Sequence, residues 1–373
     1  MNLTESRYDR AERITWWDQS LLGDARVLVV GAGALGNEIV KNLTLVGVGS
    51  IDVVDMDSIE YSNLSRCVFF RDGDEGQSKA ELLVSRALQL NPDVTLQSFN
   101  MPVQQLGAAY LGGYSAVVGA LDNREARLWT SRACRMNGIP FIDAAIEGLH
   151  AVVRIFSPDT ACYACTLSDV DWEVLNKRRS CALLQRDDIA LGKTPTNATT
   201  SSVAAAIQCQ ELIKYLVNRS DLISLNGKVW HLMGEELANF TVEMTLDPNC
   251  MEHIEFDEII RSDITNWLTL SEALEPFFSE TTGIWTLDDF VFINSCEQGH
   301  MKSVAGFRSL LKSSMAYCQK CDVELETIST SVLTQDFPGL SVPREQVIWP
   351  KSEFLLLSEG ATTRALVIER GES

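Results

Sequence analysis

The sequence predicts an α/β fold with a mainly parallel sheet, followed by a smaller C-terminal α+β domain. Three observations carry this. The stretch VLVVGAGALGNEIVKNL, residues 27–43, runs from an apolar strand through a glycine turn into an amphipathic helix. A second apolar strand, Ser50 to Val54, ends in an acid, Asp55, so that strand, helix and strand form one βαβ unit. Past Asp257 the composition shifts toward Trp, Phe and Ser, which divides the chain into 1–256 and 257–373.

After Lys79 comes another helical pattern, then strand-like runs at 116–120 and 140–143 and a hairpin-like apolar run at 151–156. This alternation argues for helices packed on a parallel sheet. Residues 168–200 are polar, carry NKRR and QRDD, and lack a clear period, so they read as a long loop or crossing segment. A helix over 201–217 and two strands, KVWHLMG and ANFTVEMTL, complete the first part. The second ends in a hairpin, EFLLLSEGATTRALVIER, around Gly360.

A chain of 373 residues has room for one large domain and a smaller one. Its net charge of −20 disfavours non-specific binding to nucleic acid or anionic membranes and suits a basic partner or basic peptide tail. The opening MNLTESRYDRAER is too polar for a signal peptide, and no apolar run is long enough to span a bilayer. A cytoplasmic protein is expected, and its ten cysteines are then thiols or metal ligands rather than a disulfide framework.

Gly31, Gly33 and Gly36 have the G-x-G-x-x-G spacing of a Rossmann-like nucleotide loop. The spacing lets the backbone approach phosphates at a helix N-terminus while Asp55 takes ribose hydroxyls. By itself it does not separate NAD, FAD and ATP. LGKT at 191–194 ends like a Walker loop, but Asp187 stands where the first glycine belongs. The residues beyond Asp55 are more informative. DMDSIEYSNLSRCVFF and GQSKAE set Asp57, Asn63, Arg66 and Lys79 after the second strand, and GALDNREAR sets Asp122 after a later one. Hydride transfer has no evident need for such a set, whereas a triphosphate with magnesium does: Arg and Lys neutralise developing charge, Asn fixes geometry and a carboxylate holds the metal.

CYAC and NCMEH supply Cys162, Cys165, Cys250 and His253, two hooks that fit one closed, structural tetrahedral zinc site; unrelated buried or redox-active pairs are the alternative. Cys296 and His300 with Cys318 and Cys321 have ligand-like spacing too, and leave open a second zinc, a redox pair or idle thiols. Cys67, Cys134 and Cys209 lie in runs that packing explains. Cys181 differs, because Lys177, Arg178, Arg179 and Arg186 surround it in the polar segment and favour a thiolate.

Taken together, these motifs resemble the ubiquitin-activating superfamily, the ThiF and MoeB type adenylyltransferases and the activating enzymes for ubiquitin-like proteins, over residues 8–253. YDR at 8–10, the glycine loop and its helix, DSIEYSNLSR, GQSK and LDN occur in the family's order. The resemblance implies an ATP-binding adenylation domain in which Asp55 holds the ribose, Asn63, Arg66 and Lys79 contact the phosphates, and Asp122 serves Mg2+ and the acyl-adenylate step. It implies that Arg10 reaches into a neighbouring subunit as an arginine finger, hence a homodimer. His253 departs from the family's usual fourth zinc-binding cysteine. Relatives place a reactive cysteine near Cys181, and TPTNATTSSV resembles the crossover loop under which they thread a substrate tail. The closing segment resembles a β-rich tail on some bacterial ThiF-like proteins, suited to recruiting a partner.

The expected function is ATP-dependent activation of a ubiquitin-like protein with a C-terminal glycine tail, by adenylation, thioester formation on Cys181 and transfer to a conjugating enzyme. The alternatives are a sulfur-carrier adenylyltransferase of the ThiF or MoeB kind, an NAD-dependent dehydrogenase, and a catalytically silent scaffold.

Overall fold

A computed structural model describes residues 6–180, 195–262, 267–279, 281, 283–360 and 362–370. The chain divides into two compact units. The first contains α1 (Gln19–Asp24), β1 (Arg26–Val30), α2 (Ala34–Val46), β2 (Ser50–Val54), α3 (Lys79–Ala87), β3 (Thr95–Phe99), β4 (Ala116–Gly119), α4 (Arg124–Met136), β5 (Phe141–Glu147) and β6 (His150–Phe156). After α5 (Asp169–Ser180), which groups with the second unit, it resumes with α6 (Ala198–Leu216), β7 (Lys228–Met233) and β8 (Ala238–Glu243).

These strands form one eight-stranded sheet in the order β3-β2-β1-β4-β5-β6-β7-β8. The first five run parallel and the last three continue as antiparallel neighbours. Val27 and Val29 of β1 and Ile51 and Val53 of β2 share a core with Ile39 and Leu43 of α2, Leu83 of α3 and Leu212 of α6. The intervening residues face the opposite side. There Asp52 is buried and bound to Arg26 and to the Tyr114 hydroxyl, and Asp143 is bound to Arg127 of α4. Coverage on both faces explains why these strands read as continuous apolar runs.

The strand C-termini converge on the glycine loop. Gly31 has φ +104°, and a Cβ there would overlap the carbonyl of Ala120, which comes directly after β4; a Cβ on Gly36 would overlap the carbonyl of Gly31. At the far end of α2, Gly47 closes the helix in the left-handed region and is covered by Tyr8, whose hydroxyl accepts from Asn91 Nδ2 at 2.8 Å.

The elements absent from the sequence expectation include β3 and α5. β3 is an edge strand whose TLQSF alternates exposed and half-buried positions, so little apolar signal marks it. α5 occupies the start of the segment read as loop. Its cap, however, is written in the sequence: Ser168 and Asp171 form a reciprocal pair, with the Ser168 N–H donating to Asp171 Oδ2 at 3.0 Å and the Asp171 N–H donating to Ser168 Oγ at 3.3 Å.

The second unit comprises Ile254 onward with two short earlier segments, 104–110 and the one beginning at Ser168. It contains β9 (Glu258–Arg261), α7 (Leu270–Phe278), β10 (Ile284–Ile293), β11 (Val304–Phe307), β12 (Tyr317–Cys318), β13 (Val323–Glu324), β14 (Thr327–Leu333), β15 (Val347–Ile348), β16 (Ser352–Glu359) and β17 (Thr362–Glu369). Its main sheet has the order β15-β11-β10-β16-β17-β9, with β14 also paired to β10, and β12 and β13 make a separate small hairpin. Phe290, Phe307, Phe337 and Trp349 form the aromatic centre of its core. Among the described residues, no helix is long and apolar enough to cross a membrane.

Because the atoms facing Gly36 are backbone and cannot rotate away, Gly36→Ala is expected to destabilise the fold by about 1–3 kcal/mol. Denaturant unfolding of the two proteins measures this.

Candidate functional site

The glycine loop hands β1 to α2 with little slack. Gly33 is the N-cap residue of α2 and supplies no side-chain cap, and no acid stands in the helix's first turn. The N–H groups of that turn and the positive end of the helix dipole are therefore available to an anion. A Cβ on Gly33 would meet no protein atom within 4 Å, unlike one on Gly31 or Gly36. Packing requires glycine at Gly31 and Gly36, but at Gly33 it is needed only for something that approaches the backbone closely.

Asp55, at the end of β2, is tied to this loop. Its Oδ2 accepts the Ala32 N–H at 2.7 Å and its Oδ1 accepts the Asp57 N–H at 2.7 Å. Each oxygen keeps a lone pair for a hydroxyl donor. Burial pushes the Asp55 carboxyl up, against the lowering effect of those two N–H groups and of Lys79. Lys79 begins α3 and donates from Nζ to Asp57 Oδ2 at 2.8 Å. Burial opposes its charge, but the Asp57 hydrogen bond and the charges of Asp55, Asp57 and Asp122 outweigh it and raise the ammonium's pKa. Lys79 is thus a fixed cation within the field of three carboxylates.

The segment after β2 brings the other predicted residues to the same edge. Asn63 is buried, and its Oδ1 accepts from the Glu60 N–H at 3.0 Å, so it shapes the turn that Tyr61–Ser65 make. Arg66 Nη1 donates to the Ser62 carbonyl at 2.6 Å. Burial pushes the Cys67 thiol up, while the charges of Arg66 and Lys79 lower it and that of Asp55 raises it. Asp122 is exposed just beyond β4, next to Asn123, whose side chain caps α4. Arg10 is not brought there. It is exposed and lies close in sequence to Tyr8, which packs at the end of α2 remote from the loop. A helix of 13 residues spans about 20 Å.

Three positioning residues were missed in the sequence. Asn37, fully buried in the first turn of α2, donates to the carbonyls of Ala32 and Gly33 at 2.8 and 3.0 Å and accepts from the Phe69 N–H at 3.0 Å. It links the glycine loop to the segment that carries Asn63 and Arg66. Arg127 donates to Asp143 at 3.0 Å, to the Ala144 carbonyl at 3.0 Å and to the Leu121 carbonyl, which fixes the strand end before Asp122. Asp74 receives Arg86 Nη2 at 2.8 Å and the Arg71 N–H at 2.6 Å, anchoring the same segment on α3. A polar residue inside an apolar helical pattern was the available signal for Asn37. The partners of Arg127 and Asp74 are tertiary and left no mark.

Cys162, Cys165, Cys250 and His253 are drawn together, as their spacing suggested. Sulfur–sulfur distances are 3.7 Å from Cys162 to both Cys165 and Cys250, and Cys165 Sγ is 3.3 Å from His253 Nε2. All four donor atoms lie within 4.8 Å of one another. The Cys165 N–H donates to the Cys162 sulfur, as in a metal-binding knuckle. Cys181 lies outside the described residues.

The ThiF family model matches residues 8–251. The SAMP-activating enzyme E1 of Haloferax volcanii is 30% identical over 263 residues, covering 67% of this chain and 90% of that protein. The NEDD8-activating enzyme E1 catalytic subunit of Caenorhabditis elegans is 34% identical over 43% of this chain and 41% of its own length, so the chain spans less than half of it. Among solved structures, E. coli MccB with ATP has a TM-score of 0.55 and 25% identity over 68% of this chain and 75% of that one.

The Arg86 hydrogen bond and charge hold the Asp74 carboxyl below the usual carboxylate range. Its pairing therefore contributes stability that is present above about pH 4 and is lost as the pH falls through the lowered native value. Unfolding curves between pH 7 and pH 3 should show Asp74→Asn less stable at neutral pH and converging on the unchanged protein in acid.

Proposed function

The chain belongs to the ThiF family, and on that footing we propose that it activates a ubiquitin-like protein by joining the protein's C-terminal carboxylate to AMP. The observation that carries this reading is the gathering of an uncapped helix N-terminus, Asp55, and the Lys79–Asp57 pair at one strand edge. The uncapped turn and the open side of Gly33 fit phosphates, and the spare lone pairs of Asp55 fit ribose hydroxyls. Asp122, exposed beside this edge, is the residue to hold Mg2+, which supplies charge neutralisation on the phosphates.

In the reaction a carboxylate oxygen of the substrate tail bonds to the α-phosphorus, the bond to the bridging oxygen breaks, and pyrophosphate leaves with the electron pair. Negative charge rises on the non-bridging oxygens as the bond forms. Lys79 and Arg66 stabilise that charge from fixed positions, so they favour the transition state over the ground state. Arg10 serves the neighbouring protomer of a homodimer, because its own segment is docked at the far end of α2. The uncovered face of β6–β8, where His231 stacks on exposed Phe240 beside Val152 and Val242, offers an apolar surface for the folded body of the substrate.

The Cys181 thiolate then attacks the acyl carbon, AMP leaves, and a thioester forms that a conjugating enzyme's thiol takes over. The other cysteines support this assignment by what occupies them. Burial pushes Cys67 up to about 11, Cys209 up to about 12 and Cys134 well up, so these remain thiols. The six other described cysteines sit in two four-donor clusters. In the first, zinc on Cys162, Cys165, Cys250 and His253 leaves no position for water and is structural, tying the end of β6 to the segment after β8. A reducing, cytoplasmic setting suits this use of sulfur.

ATP–pyrophosphate exchange with candidate proteins ending in Gly-Gly tests the first step. Lys79→Ala should lower exchange about 10²–10³-fold. Cys181→Ala should retain exchange and lose the thiol-sensitive adduct on a non-reducing gel. An adduct that persists rejects Cys181, thiocarboxylate on the tail indicates the sulfur-carrier type, and binding of NAD without ATP rejects adenylation. Mixing Arg10→Ala with Lys79→Ala protein should restore exchange that neither has alone, since a mixed dimer contains one complete site.

A further inference from the structure

We propose that Cys296, His300, Cys318 and Cys321 bind a second, structural zinc ion that staples the β12–β13 hairpin of the second unit to the loop between β10 and β11. Cys296 Sγ is 3.2 Å from Cys321 Sγ, and His300 Nδ1 is 3.1 Å from Cys321 Sγ and 4.0 Å from Cys318 Sγ. All four donor atoms lie within 4.8 Å of one another. Ligands on one tetrahedral zinc, with bonds of about 2.0–2.3 Å, stand about 3.5–3.8 Å apart, so this cluster has the size of a single coordination sphere. Three sulfurs and one imidazole form a soft, closed set that suits zinc and leaves no position for a substrate.

The local backbone is built to hold those donors. The N–H groups of Gln298 and His300 point at the Cys296 sulfur, which places two hydrogen-bond donors on one ligand. The turn closes through Gly299 N–H to the Cys296 carbonyl at 2.8 Å and Cys296 N–H to the Met301 carbonyl at 3.0 Å, with Gly299 at φ +72°. On the other hook, Asp322 adopts φ 57° and donates its N–H to the Cys318 carbonyl at 2.8 Å. Both chain reversals bring their donors to the same point.

Packing supplies the reason for a metal here. β10 turns Phe290 and Phe292 into the main core of the unit, while Val291 and Ile293 face a small separate cluster of Leu311, Ala316, Leu325 and the two cysteines Cys296 and Cys318. The hairpin beneath them pairs only Tyr317 with Glu324 and Cys318 with Val323. Two such short strands and so few apolar side chains do not hold a fold on their own, and a metal supplies the missing cohesion. This site is independent of the adenylation reading and of the first cluster, since the ThiF match ends at residue 251.

The test begins with the unaltered full chain, purified under reducing conditions. Metal analysis should give two zinc ions per chain. Native alkylation mapped by peptide mass should leave Cys296, Cys318 and Cys321 unlabelled until a zinc chelator is added. Cys318→Ser combined with Cys321→Ser should remove one zinc, and Cys162→Ser combined with Cys250→Ser should remove the other. One zinc in the unaltered chain that the Cys318→Ser, Cys321→Ser variant retains, rapid labelling of the three cysteines without chelator, or a Cys296–Cys321 disulfide in the reduced preparation would each overturn the proposal. The labelling result decides the matter even if either double variant fails to fold.

Discussion

No side chain fits between the α-carbon of Gly36 and the carbonyl of Gly31, and the rest of the first unit is arranged around that contact. It presses the start of α2 against the loop that ends β1, so the helix N-terminus emerges at the strand edge. The same loop touches the carbonyl of Ala120 after β4, which brings the approach to Asp122 into register with it. Asn37 and Asp55 then bind the loop's own carbonyls and amide, so its backbone is held from both sides. A rigid loop of this kind costs little to order when an anion docks, the condition for electrostatic stabilisation that is already in place before reaction.

Buried and half-buried ion pairs specify the surroundings of this loop more than they stabilise the fold. Asp143 is fully buried and takes Arg127 at 3.0 Å and Arg154 at 2.9 Å. Such pairs roughly break even against the cost of desolvating them, but removing one partner leaves an uncompensated charge. They make alternative arrangements expensive, and here they fix the strand ends from which Asp122 projects and the turn from which Arg66 projects.

Among the described cysteines, sulfur is divided between two uses. Cys67, Cys134 and Cys209 are small apolar fillers whose burial keeps them protonated. Six others converge in two groups of four donors, one in each unit.

Local sequence determined the βαβ unit, the glycine loop and its acid, the strands β4, β5 and β6, and both sets of metal-ligand spacings. Each depends on periodicity or on spacing within a short stretch, and glycine, cysteine and apolar alternation report those directly. Even α5 was written locally, in the Ser168–Asp171 pair, although few apolar positions marked the helix itself. Tertiary structure alone decided that Asn37 reaches Phe69, that Arg127 braces the strand end before Asp122, and that Tyr8 holds the Arg10 segment at the far end of α2. It also decided that Cys296 and His300 meet Cys318 and Cys321, because a ligand set is complete only when chain reversals distant in sequence aim at one point. Side-chain chemistry is local, but the partner that gives a buried polar group its role arrives from another element, and only folding chooses it.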